Sequence, residues 1–381
     1  MFNKFYNSIL CSVIGDIIGY GNGHVEFNDN TDMKINSPSD INRLTGWSVR
    51  HVITFITLGC IENYDFKHNI VSDDTYLLLA NLDALIKTYN KDNDVILEEI
   101  KNKMIQYYEN DDKKNVRNYG IKTVESLMKI KNGYNWRKIK YDSNGGGSGA
   151  SMRCMPIGLI YHGKKNREKL IYLAIMSSII THTNPIGYLG GLVSALYSAF
   201  AIEGINKNKW PELLFKIFDS DYFNKIISKI NSKFPEYKKK QNYDIQKFII
   251  WWKSHYNIRF KNKKFIDVNQ PTEMSFGMRY FDIRSKFYYD NYTRKGYLNP
   301  GSNGCDSTII AYDAFMDAKC FFSFICYSML HCGDSDTTGC IAGALYGAYN
   351  KNIKYDFNIN DIECIDLINE LTNKAKFIFT Q

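Results

Sequence analysis

The spacing of apolar residues limits this chain more than any other feature. In residues 8–18, Ile9, Leu10, Val13, Ile14, Ile17 and Ile18 recur at helical intervals and mark one broad buried face. Residues 73–88, DDTYLLLANLDALIKT, predict a helix opened by a Ser72 cap. Another is predicted over 168–180 and broken by THTNP, after which Pro185 takes a first helical position with Asn184 as its cap. Segments 309–330 and 337–350 complete the set. The stretches GGLVSALYSA and AGALYGA carry Gly, Ala and Ser faces, suited to helices whose backbones approach closely. Alternating runs are few and no βαβ rhythm appears, so the expected fold is all-α. Nothing reads as a linker: there are 7 prolines and no Gly/Ser tract. One domain over 1–381 is therefore expected. The more polar, aromatic segment 203–300 (WPELLF, FIIWW, RYFDIRSKFYY) reads as its peripheral elaboration.

Charge and cysteine usage narrow the partners. The net charge is +8, but the lysines are scattered or lie in short runs, KKK at 238–240 and KNKK at 261–264, without a nucleic-acid motif. No nucleic-acid partner is expected, although a mild positive field favours a phosphate-bearing ligand. The nine cysteines form no CxxC and no disulfide-like spacing, which predicts reduced, mostly buried thiols and a cytoplasmic compartment. Asp16 interrupts the apolar N-terminal stretch and no small-residue cleavage site follows, so no signal peptide is expected. No run approaches ~20 apolar residues, so no membrane span is expected either.

Two segments about 260 residues apart each place hydroxyls and two carboxylates at a predicted helix start: Ser72, Asp73, Asp74, Thr75, and Asp334, Asp336, Thr337. Either alone is an N-cap, which complements the helix dipole and contributes roughly 1 kcal/mol. Were the two to meet, unpaired like charges at ~4 Å would repel by about 4 kcal/mol per pair at an effective dielectric near 20. A divalent cation relieves that. The donors are hard oxygens without His or Cys, which favours Mg²⁺, Mn²⁺ or Ca²⁺ over Zn²⁺.

The remaining signals are weaker on their own. NGGGSGASMR at 144–153 is either a phosphate-cradling loop or a turn, and it is neither a P-loop nor a dinucleotide fingerprint. PGSNGCDST at 300–308 is a turn or a ligand-contacting loop. By spacing, Glu26 reads as a surface carboxylate, His182 as a cap or satisfied core histidine, and Asp16 as a buried structural acid needing hydrogen bonds. No Gly-x-Ser-x-Gly elbow supports covalent acyl chemistry.

Taken in order, GDIIGYGNGHVEF, SDDT, GGGSGASMR with PIGL, THTNPIGYLGG, IAYDA and GDSDTTGCIAGALYGAY closely resemble the ADP-ribosylglycohydrolase family. The likeness runs from Gly15 to Tyr349. It is nearest to the ADP-ribosylarginine hydrolases, whose GYxNGxxEF and GYLGxLxSAL stretches are matched here. The resemblance implies a compact orthogonal helical bundle holding two Mg²⁺ ions (Mn²⁺ as a substitute). It also implies hydrolysis of the bond between ADP-ribose and an acceptor side chain on a modified protein, by a monomer. The implied metal ligands are Ser72, Asp73, Asp74, Asp334, Asp336 and Thr337. Glu26 falls on the family's acidic residue beside the metals, which overturns its surface reading, and Asp73 and Asp74 share the catalytic role with it. Gly147, Ser148 and Gly149, with Ser302 and Gly304, fall on loops contacting ADP-ribose, and His182 on a motif near the ligand. Cys332 stands for the first Gly of the usual GGD, where it is expected to crowd the metal loop. Thr337 stands for the Ser of the arginine-hydrolase type and keeps a hydroxyl. Acceptors linked through serine or O-acetyl groups, and a non-catalytic ADP-ribose reader, are the alternatives on this scaffold. DSDTT also matches the DxDxT loop of haloacid-dehalogenase phosphatases, which would need a buried strand before it.

Overall fold

The structure, a computed structural model, describes residues 1–28, 38–260, 277–293 and 299–380; the KNKK run at 261–264 lies outside them. Its described residues form sixteen α-helices. The first eight are α1 (Phe2–Tyr20), α2 (Pro38–Thr57), α3 (Asp73–Lys87), α4 (Asn93–Asn110), α5 (Ile121–Lys131), α6 (Met155–Ile160), α7 (Arg167–Ile179) and α8 (Pro185–Glu203). The rest are α9 (Trp210–Phe218), α10 (Asp221–Lys233), α11 (Lys238–Arg259), α12 (Gly277–Tyr292), α13 (Gly304–Asp317), α14 (Phe321–Ser328), α15 (Ser335–Tyr349) and α16 (Ile365–Ala375). No strand occurs among the described residues, only an isolated antiparallel bridge between Gly147 and Asn303. The all-α expectation is correct.

The predicted caps form as written. Ser72 Oγ accepts from the Asp74 N–H (3.1 Å) and Asn184 Oδ1 from the Ile186 N–H (2.8 Å). The expectation of one helix over 309–330 is wrong. The chain is extended at Ala318 (ψ 120°), and Ser323 Oγ accepts the N–H groups of Lys319 and Cys320 at 3.0 and 3.1 Å. A serine hydroxyl that satisfies these backbone donors starts α14 afresh, where apolar periodicity alone suggests continuation.

Helices α1 and α15 pack antiparallel with their backbones almost in contact. A Cβ on Gly15 would lie 2.1 Å from the Gly339 oxygen, on Gly19 2.2 Å from that of Ser335, on Gly343 2.1 Å from that of Cys11, and on Gly347 2.2 Å from that of Asn7. Only glycine permits this seam. Ser8, Ser12 and Ser335 hydroxyls donate across it to carbonyls of Ala344, Cys340 and Gly19 at 2.7–2.8 Å.

Helix α8 is the second pillar. It is 19 residues long with a mean hydropathy of 1.4, enough by length and composition to cross a membrane, yet it lies wholly inside the protein. Trp210 and Trp252, from the 203–300 segment, are fully buried against Tyr197 of α8 and Tyr312 of α13. All nine cysteines are free thiols, six of them buried.

Gly343→Ala is expected to cost roughly 1–3 kcal/mol in denaturant unfolding, because the seam cannot yield to a methyl group without displacing a helix. Gly46→Ala, where no atom lies within 4 Å of the new Cβ, should be neutral or slightly stabilising. Equal effects would refute the seam as the reason for glycine.

Candidate active site: two helix N-termini on one cavity

Asp16, inside α1, is fully buried and accepts from the backbone N–H groups of Ser72 (3.1 Å) and Thr75 (3.2 Å) and from the Thr75 hydroxyl. It thereby caps α3 from the side and anchors that helix start to α1. Arg117, also buried, fixes the approach to α3. Its guanidinium bonds Asp111, Glu363 and the Val71 carbonyl, and its own carbonyl accepts from the Asp73 N–H (3.1 Å). Helix α15 begins beside the C-terminal end of α1, held there by the glycine seam. The loop before it is laced by His331, whose Nδ1 accepts from the Gly333 N–H (3.0 Å) and whose Nε2 meets Thr338 Oγ1 (2.7 Å).

This brings the two acidic clusters to one cavity of about 420 Å³, lined by Glu26, Asp73, Asp74, Asp334, Asp336 and Thr337. Gly147, Ser148, Gly149, His182 and Ser302 also line it. Glu26 is 6% exposed, and single oxygens of Glu26, Asp334 and Asp336 lie within 4.8 Å of one another. Burial pushes all these carboxyls up. Asp73 rises to about 8, and Asp334 to about 7 with the Glu26 charge adding to the effect. Glu26, Asp74 and Asp336 are raised well above the usual carboxylate range, first by burial and then by neighbouring charge, that of Asp336 for Glu26 and Asp74 and that of Asp334 for Asp336. Asp74 Oδ2 and Asp334 Oδ1 are buried without a hydrogen-bond partner. Hard, orphaned oxygens under mutual repulsion fit a divalent cation.

Ser72, Gly304 and Cys332 stand apart from the cavity wall. The Ser72 hydroxyl caps Asp74 and bonds Asp16. Gly304 packs under α8, where a Cβ would meet the Ile186 oxygen at 2.3 Å, and its N–H donates to the Gly146 carbonyl. Cys332 turns its Sγ to the Ser285 carbonyl of α12 (3.4 Å), so it does not crowd the loop as expected. Gly333 is the position where a side chain fails, because a Cβ there would lie 2.0 Å from the Pro300 oxygen. The Ser148 hydroxyl donates to Asp334 (3.1 Å), joining the Gly-rich loop to the second cluster.

Several residues at the site escaped the sequence reading. Asn118, in the left-handed region (φ 54°), donates through Nδ2 to Glu26 Oε2 (3.1 Å), and Gly120 N–H donates to Asp73 Oδ2 (3.2 Å). The tripeptide NYG thus steadies Glu26 and one acid of the first cluster. An Asn before Tyr-Gly is a turn signal at most, so only the folded contacts reveal it. His331 and Arg153 were silent for the same reason.

The DxDxT phosphatase reading fails here, since Asp334 stands at the N-terminus of α15 and no strand precedes it among the described residues. What the fold and cavity define is an all-α protein that presents carboxylates at two helix N-termini to a cavity shared with a glycine-rich loop. A family model described as ADP-ribosylglycohydrolase matches residues 1–357. ADP-ribosylhydrolase ARH1 of Dictyostelium discoideum is 33% identical over 392 residues, 96% of this chain and 92% of that one. An ADP-ribosyl glycohydrolase of Acanthamoeba polyphaga mimivirus is 31% identical over 371 residues, and the match spans 94% of this chain but only 66% of that relative. A solved ADP-ribosylglycohydrolase-related protein complex shares the fold, with a TM-score of 0.56 at 15% identity over 99% of this chain and 98% of that one. The chain belongs to the ADP-ribosylglycohydrolase family and is a hydrolase of that family.

The raised carboxyls fix a pH dependence. They titrate near 4 when unfolded and hold their protons higher when folded, so folding takes up protons. Their contribution to stability is complete below about pH 4 and is lost as pH rises through about 7 for Asp334 and about 8 for Asp73. In chelator, the melting temperature should fall from about pH 5 to about pH 9. Asp336→Asn, with one repelling charge removed, should flatten that slope and raise the melting temperature at its upper end. Parallel profiles would contradict the repulsion.

Proposed function

We propose that this protein hydrolyses the N-glycosidic bond between ADP-ribose and an arginine side chain of a modified protein, with two Mg²⁺ ions bound in the cavity and Mn²⁺ able to replace them. The observation that carries this reading is the junction of the two acidic clusters with Glu26 and the Gly-rich loop in one cavity. An arginine acceptor is supported by the GYGNGHVEF and GYLGGLVSAL stretches.

Asp73, Asp74, Asp334, Asp336 and Thr337 would hold the ions, with Ser72 contributing only the oxygen lone pair that its capping bond leaves free. Bound divalent ions supply Lewis acidity, a template for ribose hydroxyls and a more acidic water. Glu26, steadied by Asn118, carries the proton between the attacking water and the departing acceptor nitrogen as the anomeric carbon gains oxocarbenium character. Gly147, Ser148 and Gly149 hold the diphosphate, and Ser302 and His182 close its wall, so that the scissile bond lies among the carboxylates.

Release of ADP-ribose from ADP-ribosylated arginine, serine and O-acetyl substrates tests this. Turnover of the arginine substrate should need Mg²⁺, vanish in EDTA and disappear in the Asp73→Asn, Asp336→Asn double variant. Glu26→Gln should lower kcat by roughly 10²–10⁴-fold. Undiminished activity in chelator would sink the metal role. Preference for the serine linkage would replace arginine as the acceptor, and binding without turnover of any substrate would make the protein a reader.

A further inference from the structure

The cavity's lining offers oxygens for cations but little positive charge of its own for an anion. Five carboxylates face it, while the ligand proposed above brings a diphosphate with two negative charges. Among the described residues that line it, Lys122 is the one Lys or Arg, and it already pairs with Glu125 and Asp142, both at 3.1 Å. The next positive charge lies beneath the wall. Arg153 ends the turn Ser148–Arg153 and is 0% exposed. Nη1 donates to the Gly149 carbonyl, and Nη2 donates to the Ser177 carbonyl (3.3 Å) and to Thr181 Oγ1 (2.8 Å); Nε has no partner. Every acceptor it bonds is neutral. A buried guanidinium without a bonded counter-charge costs several kcal/mol, so its retention asks for a reason.

The two arms point to one. Nη1 fixes the turn whose Gly147, Ser148 and Gly149 line the cavity. Nη2 fixes Thr181, whose hydroxyl meets His182 Nδ1 at 2.7 Å. With Arg153 donating to its oxygen, the Thr181 hydroxyl is free to donate to Nδ1, which leaves the imidazole proton on Nε2. That nitrogen lies against the Gly-rich loop, 3.5 Å from a Cβ placed on Gly147 and 3.2 Å from one on Gly149. The charge itself acts on the first acidic cluster, where Asp73 is the carboxylate that feels it.

We infer that Arg153 is a buried positioning residue for the diphosphate: one guanidinium sets the Gly147–Gly149 turn and the His182 donor together, and its charge offsets the carboxylate field at that end of the cavity. The inference rests on the ADP-ribose reading above. It makes two affinities move in opposite directions. Loss of the positive charge weakens binding of the anion and leaves divalent cation binding equal or tighter, since both compete for the same field.

Calorimetric titration of the full chain with ADP-ribose, and separately with Mg²⁺ alone, tests this. Arg153→Met should weaken ADP-ribose roughly tenfold or more, while Mg²⁺ binds as well as in the wild type or more tightly. Arg153→Lys keeps the charge but not the two-armed tie, so Mg²⁺ affinity should match the wild type while ADP-ribose affinity falls. Thr181→Val severs only the arm to His182 and should lower ADP-ribose affinity alone; it and the lysine variant keep the test decisive if Arg153→Met does not fold. Parallel loss of both ligands in these variants, as a general loosening would give, overturns the inference, as does wild-type ADP-ribose affinity in all of them. A wild-type protein that binds no ADP-ribose would instead overturn the functional reading on which this one stands.

Discussion

The glycine seam between α1 and α15 is the constraint on which the rest depends. Glycines at four-residue intervals let the two backbones touch, and the serine hydroxyls that bond across the seam fix its register. Because the register is fixed, the start of α15 must lie beside the end of α1. Asp334 and Asp336 therefore meet Glu26, which follows α1 by a short Gly-rich turn. The same α1 carries Asp16, which captures the N-terminus of α3 through two backbone N–H groups. One helix thus sets the positions of three acidic segments that are far apart in the chain.

That arrangement works against the carboxylates' own preferences. Held by backbone packing, they cannot separate, so they take up protons or a cation. The helix N-termini of α3 and α15 soften the conflict, since their partial positive ends face the acids they present. They do not remove it, as the raised titration of Asp73 and Asp334 attests. Stability given up here is recovered in the buried layers around it: the aromatic cluster of Trp210, Trp252, Tyr197 and Tyr312, and the Arg117 clamp with Asp111 and Glu363.

Much of this was legible in the sequence, and the gaps have physical causes. Caps such as Ser72 and Asn184 were readable because they act within a few residues of themselves. The helix set was readable because its apolar stripes face one core. Burial of Glu26 was invisible to spacing, since it comes from a fold-back onto Gly333, whose carbonyl accepts from the Phe27 N–H (3.0 Å). Asn118 and His331 act on groups that only the fold brings near. Cys332 misled for the opposite reason: a sequence position beside the acids says nothing of which way its side chain turns, and here it turns to α12. Gly304 was assigned to ligand contact because it sits in a loop motif, yet its lack of a side chain serves helix packing.

The two ends of the cavity then follow one logic with opposite sign. At the acidic end, packing forces like charges together and creates a demand for cations. At the glycine-rich end, α8 forces backbone against backbone, with Gly187 and Gly190 under the loops of Gly145 and Gly304. An anion bound there must be held by backbone and hydroxyl donors and by charge acting from below. The Ser148 hydroxyl, bonded to Asp334, ties these two parts of the wall together, so the packing of α15 on α1 and of the glycine loops on α8 shapes a single cavity.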